Sequence, residues 1–337
     1  MTKKILVALG PYPPIERAAR VELEKFGQVD EVVGSLTEDD LVERIRDVNA
    51  VVLGAPKLTR KVILSANNLE VIARRGIGVD NIDLPAASEK GVVVTNCPGV
   101  LSSTVAEHTI LLMLGISRKI TVADRSVRTG RGKEFTSVLY SELTGKTLGV
   151  IGFGSIAIEV ARIAKCAFRM KVITNDNRHI KRERVGLAGA ELVNSLEELL
   201  RTSDYLVLTV PLSAETEGLI GEEQLNMMKP SSFFINVSRG KIVDEDALCV
   251  ALQEHKIAGA ALDVLVKQPP DPDNPLLKLD NVLFTPHCAA LTIDTQRELS
   301  FACVEAISKL FSRELPDKPV NILNPEIASR YLERPLA

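Results

Sequence analysis

The stretch Gly149-Val150-Ile151-Gly152-Phe153-Gly154-Ser155-Ile156-Ala157 constrains this chain more than any other. A short apolar run, Lys146-Thr147-Leu148 onward, enters a glycine turn, and helical spacing follows from Ile156 to about Ala167. Strand, glycine turn and helix in that order form the context of a dinucleotide-binding fingerprint. Gly152 permits the tight turn and Gly154 lets the main chain approach a pyrophosphate. The N–H groups of Ser155 and Ile156, at the start of the helix, then face the anion. Ala157 holds the third glycine position. Lys171 to Asn175 reads as the next strand, and Asp176 stands at its end, 19 positions after Ala157. That is close to the roughly 20 expected of an acid on the ribose hydroxyls. A carboxylate there favours NAD over NADP, and Arg178 beside it is the one feature that would suit a 2′-phosphate.

The chain of 337 residues is long enough for two domains. With 45% hydrophobic and 25% charged residues it is of ordinary globular composition. A net charge of −3 gives no support for a nucleic-acid or anionic-membrane partner. The cysteines Cys97, Cys166, Cys249, Cys288 and Cys303 form no C-x-x-C pair, so no metal site is expected and reduced thiols are. The N-terminal apolar run Ile5–Leu9 is too short for a signal peptide, and no run reaches membrane-spanning length. A cytoplasmic protein is expected.

Apolar runs alternate with helical spacing throughout, which predicts parallel sheets with crossover helices. Strands are read at Ile5–Leu9, Val29–Val33, Val51–Leu53, Leu69–Ala73 and Gly91–Asn96, with no phosphate-type glycine turn after the first. A long helix follows from about Leu101 to Arg118, and a boundary near residue 100 is expected. His108 within it reads as a packed helix residue. After Asp176 come strands at Glu191–Val193, Tyr205–Val210, Phe233–Val237, Ile257–Leu262 and Val282–Phe284. A helix at Ser195–Leu200 opens on a capping box with Glu198. An amphipathic helix spans Asp294 to Phe311, and the tail beyond is read as short and polar. Arg74-Arg75-Gly76-Ile77-Gly78 follows a strand end, where glycine main-chain N–H groups can meet an anion; a plain turn is the equal alternative.

Ligands of open α/β sheets bind beyond the carboxyl ends of the strands. Arg239 and His287 both stand at such ends. An arginine holds a 2-oxo acid by its carboxylate, and a histidine gives a proton to the carbonyl oxygen while a nicotinamide gives hydride to the carbon. Each alone could be a salt-bridged or packed residue; the two together favour catalysis.

The chain resembles the D-isomer-specific 2-hydroxyacid dehydrogenases, such as phosphoglycerate dehydrogenases and glyoxylate/hydroxypyruvate reductases, over nearly its whole length. The resemblance is carried by Gly76–Asp83, Thr104-Val105-Ala106-Glu107-His108, the glycine turn, Val210-Pro211-Leu212, Asn236-Val237-Ser238-Arg239-Gly240, Ala261-Leu262-Asp263-Val264 and Thr285-Pro286-His287. It implies two Rossmann-like and flavodoxin-like α/β domains with a cleft between them. The substrate domain would be discontinuous, 1–99 plus 288–337, around an NAD domain at 100–287. A homodimer with the long-helix region at its interface is also implied. By the same resemblance Arg239 binds carboxylate and carbonyl, His287 transfers the proton, and main-chain N–H groups around Gly76 to Gly78 help hold the substrate carboxylate, with Arg74, Arg75 and Ile77 taken with them as substrate-side residues. Thr104, Val210, Pro211, Val237 and Asp263 lie on the cofactor side. One departure concerns the catalytic set: the family's glutamate before a proline is Gln268 here, which can orient His287 but brings no charge. Formate dehydrogenases share that glutamine, yet they carry an asparagine where this chain has Leu101. Some relatives are NAD(H)-responsive corepressors, a reading that the presence of Arg239 and His287 weighs against. Arg75 would suit a doubly charged acid, a solvent-facing side chain being the other expectation. With the sequence ending at residue 337, the regulatory domain of many phosphoglycerate dehydrogenases is not expected.

Overall fold

Apolar runs without polar alternation need burial on both faces, the condition of strands in a parallel sheet covered by helices. In the computed structural model, which describes residues 2–135, 138–175 and 182–333, these runs form two such sheets. The strands are β1 (Lys3–Gly10), β2 (Gly27–Val33), β3 (Ala50–Leu53), β4 (Val71–Arg74), β5 (Val93–Asn96), β6 (Thr147–Ile151), β7 (Lys171–Asn175), β8 (Glu191–Leu192), β9 (Tyr205–Leu208), β10 (Phe233–Asn236), β11 (Gly259–Leu262), β12 (Val282–Phe284) and β13 (Asn321–Ile322). Every residue of β3, β4, β5, β9, β10 and β11 is buried. The chain divides into two compact units, Met1–Leu101 with Leu291–Ala337 and Ser102–Ala290.

In the first unit the order is β13-β5-β4-β3-β1-β2. All pairings are parallel except that of β13 with β5. Without β13 this is the flavodoxin-like order 2-1-3-4-5. The tail is not merely polar. It supplies β13 and the helix Pro325–Leu332, whose Ile327, Ala328 and Tyr331 are buried. A knot of polar groups fixes it. Tyr331 donates to Glu70 Oε2 at 2.8 Å, Lys3 pairs with Glu70, and the Arg313 guanidinium lies 3.9 Å from the Tyr331 ring centre. Burial alone would push the Glu70 carboxyl up, but bonds from Lys3, Tyr331 and Asn49 outweigh it and hold it below the ordinary range. A carboxyl lowered in the folded state stabilises fully above its unfolded value, near 4.5, and loses that contribution as pH falls through the folded one. Glu70→Gln is therefore expected to cost about 1–3 kcal/mol at neutral pH. The gap in thermal unfolding between the two proteins should narrow steadily below pH 4.5; a constant gap would refute the assignment.

The second unit has the order β12-β11-β10-β9-β6-β7-β8, all parallel. Counted from β6 this is 3-2-1-4-5-6 with one further strand, the doubly wound dinucleotide-binding order. The order reverses between β6 and β9, and the glycine turn sits there, directly after β6. Helix Ser102–Ser117 packs on β10, β11 and β12 and on helix Ser155–Phe168. Ser195 caps Leu196–Thr202 through Glu198 N–H, as read, but Glu198 reaches back to the N–H of Asn194 rather than of Ser195. The helices Leu84–Lys90 and Glu222–Met227 have little apolar spacing and were not anticipated. Among the described residues no helix is long and apolar enough to cross a membrane.

Candidate active site

The sequence at the β6 turn dictates its shape. Gly152 has φ +83°, and a Cβ there would lie 2.5 Å from Val210 Cγ1, the residue that follows β9 across the switch point. Thr209 Oγ1 donates to Gly152 O at 2.7 Å and locks the turn to that neighbouring segment. Gly154 is the N-cap of helix Ser155–Phe168, with no side chain capping its first N–H groups. A Cβ on Gly154 would meet nothing within 4 Å. An open approach to uncapped N–H groups at a fourteen-residue helix fits a pyrophosphate. Ser155 Oγ accepts from Ser102 Oγ at 2.9 Å, and Ala157 is fully buried under the turn. Asp176 and Arg178 lie outside the described residues.

Val210 and Pro211 follow β9, Val237 and Arg239 follow β10, Asp263 follows β11, and Thr285 and His287 follow β12. Because all these strands are parallel, one carboxyl edge carries them together with the glycine turn. Asp263 is buried and accepts from Thr285 Oγ1 at 2.6 Å, Cys288 N at 2.9 Å and Ala289 N at 3.1 Å. Burial would raise its carboxyl; His108 Nε2 at 3.4 Å, with bonds from Thr285 and the Cys288 N–H, outweighs that and holds it below the usual range. The Thr285 hydroxyl donates to Asp263, so its oxygen accepts from His108 Nε2 at 3.0 Å. His108 is thus a packed helix residue that also fixes Thr285, two positions before His287. His108, Asp263 and Cys288 come within 4.8 Å of one another, but the Asp263 oxygens are already taken by Thr285 and main-chain N–H groups. Thr104 lies half-buried on helix Ser102–Ser117.

His287 adopts φ +53°, a left-handed backbone uncommon outside glycine. Its N–H donates to Asp263 O at 2.8 Å. Its Nδ1 lies 3.0 Å from Gln268 Oε1, and since that oxygen only accepts, Nδ1 carries the proton. Arg239 is braced by its neighbours. Its carbonyl accepts from Asn236 Nδ2 at 3.0 Å, Ser238 N–H donates to Asn236 Oδ1 at 2.9 Å, and Ser238 Oγ donates to Val210 O. Arg239 NH1 donates to Ser238 O at 2.8 Å. Gly240 must be glycine, because a Cβ would lie 2.1 Å from the main-chain carbon of Leu265. The bracing role of Asn236 and Ser238 was not read from the sequence; an asparagine two residues before a serine at a strand end is the signal that an Asx turn leaves.

In the first unit Arg74 and Arg75 do not face solvent, against the expectation for Arg75. Both are under a tenth exposed. Arg74 donates to Gly78 O, Leu53 O and Arg75 O, and Arg75 to Pro13 O and Gln296 O. The cause is position: both stand where the central strand β4 ends, buried among main-chain carbonyls of neighbouring segments that need donors water cannot supply. Burial pulls the Arg75 pKa down. Spent on carbonyls, its terminal nitrogens leave the second cation for a doubly charged acid without support. The glycines Gly76 and Gly78 flank Ile77 in the loop that these arginines frame.

The profile described as "D-isomer specific 2-hydroxyacid dehydrogenase, NAD binding domain" matches residues 110–289. The chain is 44% identical over 324 residues to a D-3-phosphoglycerate dehydrogenase of Methanocaldococcus jannaschii, covering 95% of this chain and 60% of that protein. It therefore spans about three-fifths of that relative's length. A glyoxylate reductase of Korarchaeum cryptofilum is 40% identical over 286 residues, covering 83% of this chain and 85% of that one. A crystal structure of an NADPH-dependent glyoxylate/hydroxypyruvate reductase from Sinorhizobium meliloti, in complex with NADP and malonate, superimposes with a TM-score of 0.80 at 31% identity, covering 93% of this chain and 94% of that chain. Strand order, glycine turn and these likenesses agree: the chain belongs to the D-isomer-specific 2-hydroxyacid dehydrogenase family.

Proposed function

We propose that this chain interconverts a small D-2-hydroxy acid and its 2-oxo acid, with NAD as the bound carrier. The observation that carries the reading is the placement of Arg239 and His287 beyond β10 and β12, on the carboxyl edge that also bears the glycine turn. The nicotinamide supplies or accepts the hydride at C2 of the acid. Arg239 holds the carboxylate and polarises the carbonyl. His287, oriented through Nδ1 by Gln268, gives a proton from Nε2 to the carbonyl oxygen in reduction and takes it back in oxidation. Thr104 and Asp263 would hold the nicotinamide side. The buried Arg75 supports a singly charged substrate such as glyoxylate, hydroxypyruvate or pyruvate over a doubly charged one. NAD rather than NADP is favoured by Asp176 in the sequence.

The test is NADH and NADPH oxidation against a panel of 2-oxo acids, with formate and NAD as a further arm. Turnover on a small 2-oxo acid with a preference for NADH is expected. Tight NADH binding without turnover on any of them would replace this reading with a binding role, and formate oxidation alone would replace it with formate chemistry. We further propose a homodimer and a cytoplasmic location. Leu111 on helix Ser102–Ser117, Ile120 and Val127 on helix Ile120–Arg128, and Leu139 are all more than half exposed apolar side chains, which supports coverage by a partner. A sedimentation mass of a single chain would remove the dimer. Five free cysteines suit a reducing compartment, and fractionation of cells tests the location.

A further inference from the structure

Three consecutive carbonyls after β4 are held from inside the first unit. Cys97 N–H donates to Gly76 O at 3.0 Å, Asn96 Nδ2 to Ile77 O at 2.8 Å, and Arg74 Nε to Gly78 O at 2.8 Å. In a planar trans peptide the C=O and the next N–H point in opposite directions. Each of the N–H groups of Ile77, Gly78 and Val79 therefore points away from the donor that holds the carbonyl of its own peptide. Among the described residues none of the three donates to a protein acceptor. Successive N–H groups turned to one side make a concavity for an anion.

Of the three donors, only Asn96 is both buried and a neutral side chain. Its amide is fixed at both ends. Ile77 O can only accept, so the NH2 must face it, and the Oδ1 end accepts from Asn321 Nδ2 at 3.1 Å. Asn321 belongs to β13 and stands in register with Asn96 across the antiparallel pair. The C-terminal strand thus locks the side chain that aims the loop.

We propose that Asn96 is a positioning residue for the substrate carboxylate: it holds the Ile77–Gly78 peptide so that Gly78 N–H faces the anion, and Asn321 locks it in that orientation. The proposal rests on the dehydrogenase reading above. Asn96→Asp removes the donor and sets an acceptor against Ile77 O. Losing an aimed donor to a charged group is worth about tenfold or more in affinity. In Asn96→Asp the KM for a 2-oxo acid rises by at least that factor while the Kd for NADH holds. The preference for the acid over its methyl ester falls with it, and Asn321→Ala gives a smaller change in the same direction. Equal losses on acid and ester would overturn the proposal, since a general loosening of the fold does not tell them apart. Calorimetric titration of oxalate into the NADH-bound protein is the second measurement, with Asn96→Ala beside Asn96→Asp in case one fails to fold. Weaker oxalate binding in the variants supports the cradle; equal affinity, or no binding to wild type, overturns it. Absence of turnover in wild type on every 2-oxo acid would instead strike the dehydrogenase reading, and the oxalate result would still decide the role of Asn96.

Discussion

Replacing His287 by alanine is expected to lower kcat for 2-oxo-acid reduction by about 10²–10⁴-fold, the usual worth of a placed acid–base group, with NADH binding intact. The ring is prepared by its surroundings. The left-handed backbone at φ +53° is anchored by the N–H bond to Asp263 O, and Nδ1 is bonded to Gln268 Oε1. Glutamine fixes the tautomer without adding charge. Putting a carboxylate in its place favours imidazolium, and a neighbouring opposite charge typically raises such a pKa by about 1–3 units. Reduction needs the protonated ring, so Gln268→Glu is expected to carry reductive activity to higher pH by that interval. Rate profiles of wild type and Gln268→Glu, recorded side by side, check the sign. Coincident limbs would mean that the residue at 268 does not govern the proton. An undiminished kcat in His287→Ala would remove His287 from the chemistry altogether.

Arg239→Ala is expected to lower kcat/KM by roughly 30-fold to several-thousand-fold, the equivalent of about 2–5 kcal/mol for truncating one side of a desolvated charge pair. Arg239→Lys should recover only part of this. A lysine offers a point charge where the planar fork makes two parallel bonds to a carboxylate. Three braces of the scaffold around Arg239 do not use its guanidinium: Asn236 holds its carbonyl, Ser238 is tied to Val210 O, and Gly240 admits the Leu265 main chain. The variant should therefore fold, with its thermal transition near that of wild type. The loss should show in KM as well as kcat, and added guanidinium ion should restore part of the rate. Unchanged constants in Arg239→Ala would assign the carboxylate to other groups.

Much of this was legible in the residues, and the misses have common causes. Continuous apolar runs such as Val51-Val52-Leu53 and Phe233 to Asn236 announce strands buried on both faces, and both are so. The turn at Gly152 is encoded locally, since its glycines answer to steric demands within a few residues. The tail reads as merely polar because Asn321, Asn324 and Tyr331 look polar in isolation. Their partners, Asn96, Val94 and Glu70, lie more than 200 positions away in sequence. Arg75 reads as solvent-facing for the same reason: Pro13 O and Gln296 O, to which it donates, are remote in sequence. His108 and Thr285 likewise meet only through the packing of a helix on a sheet. What periodicity reports is which face is apolar; it does not report which distant carbonyl a buried donor will find.

The pairing of β13 with β5 also has a consequence for the order in which the chain can mature. The second unit is one continuous stretch, Ser102–Ala290, and all seven strands of its sheet are available once that stretch has left the ribosome. The first unit begins earlier but cannot finish until Leu291 onward has been made, because β13 and helix Ile293–Phe311 come from there. During that interval β5 is a bare sheet edge, the kind of surface that recruits foreign strands. The first domain to start is the last to close, and its vulnerable period lasts as long as synthesis of the entire second one.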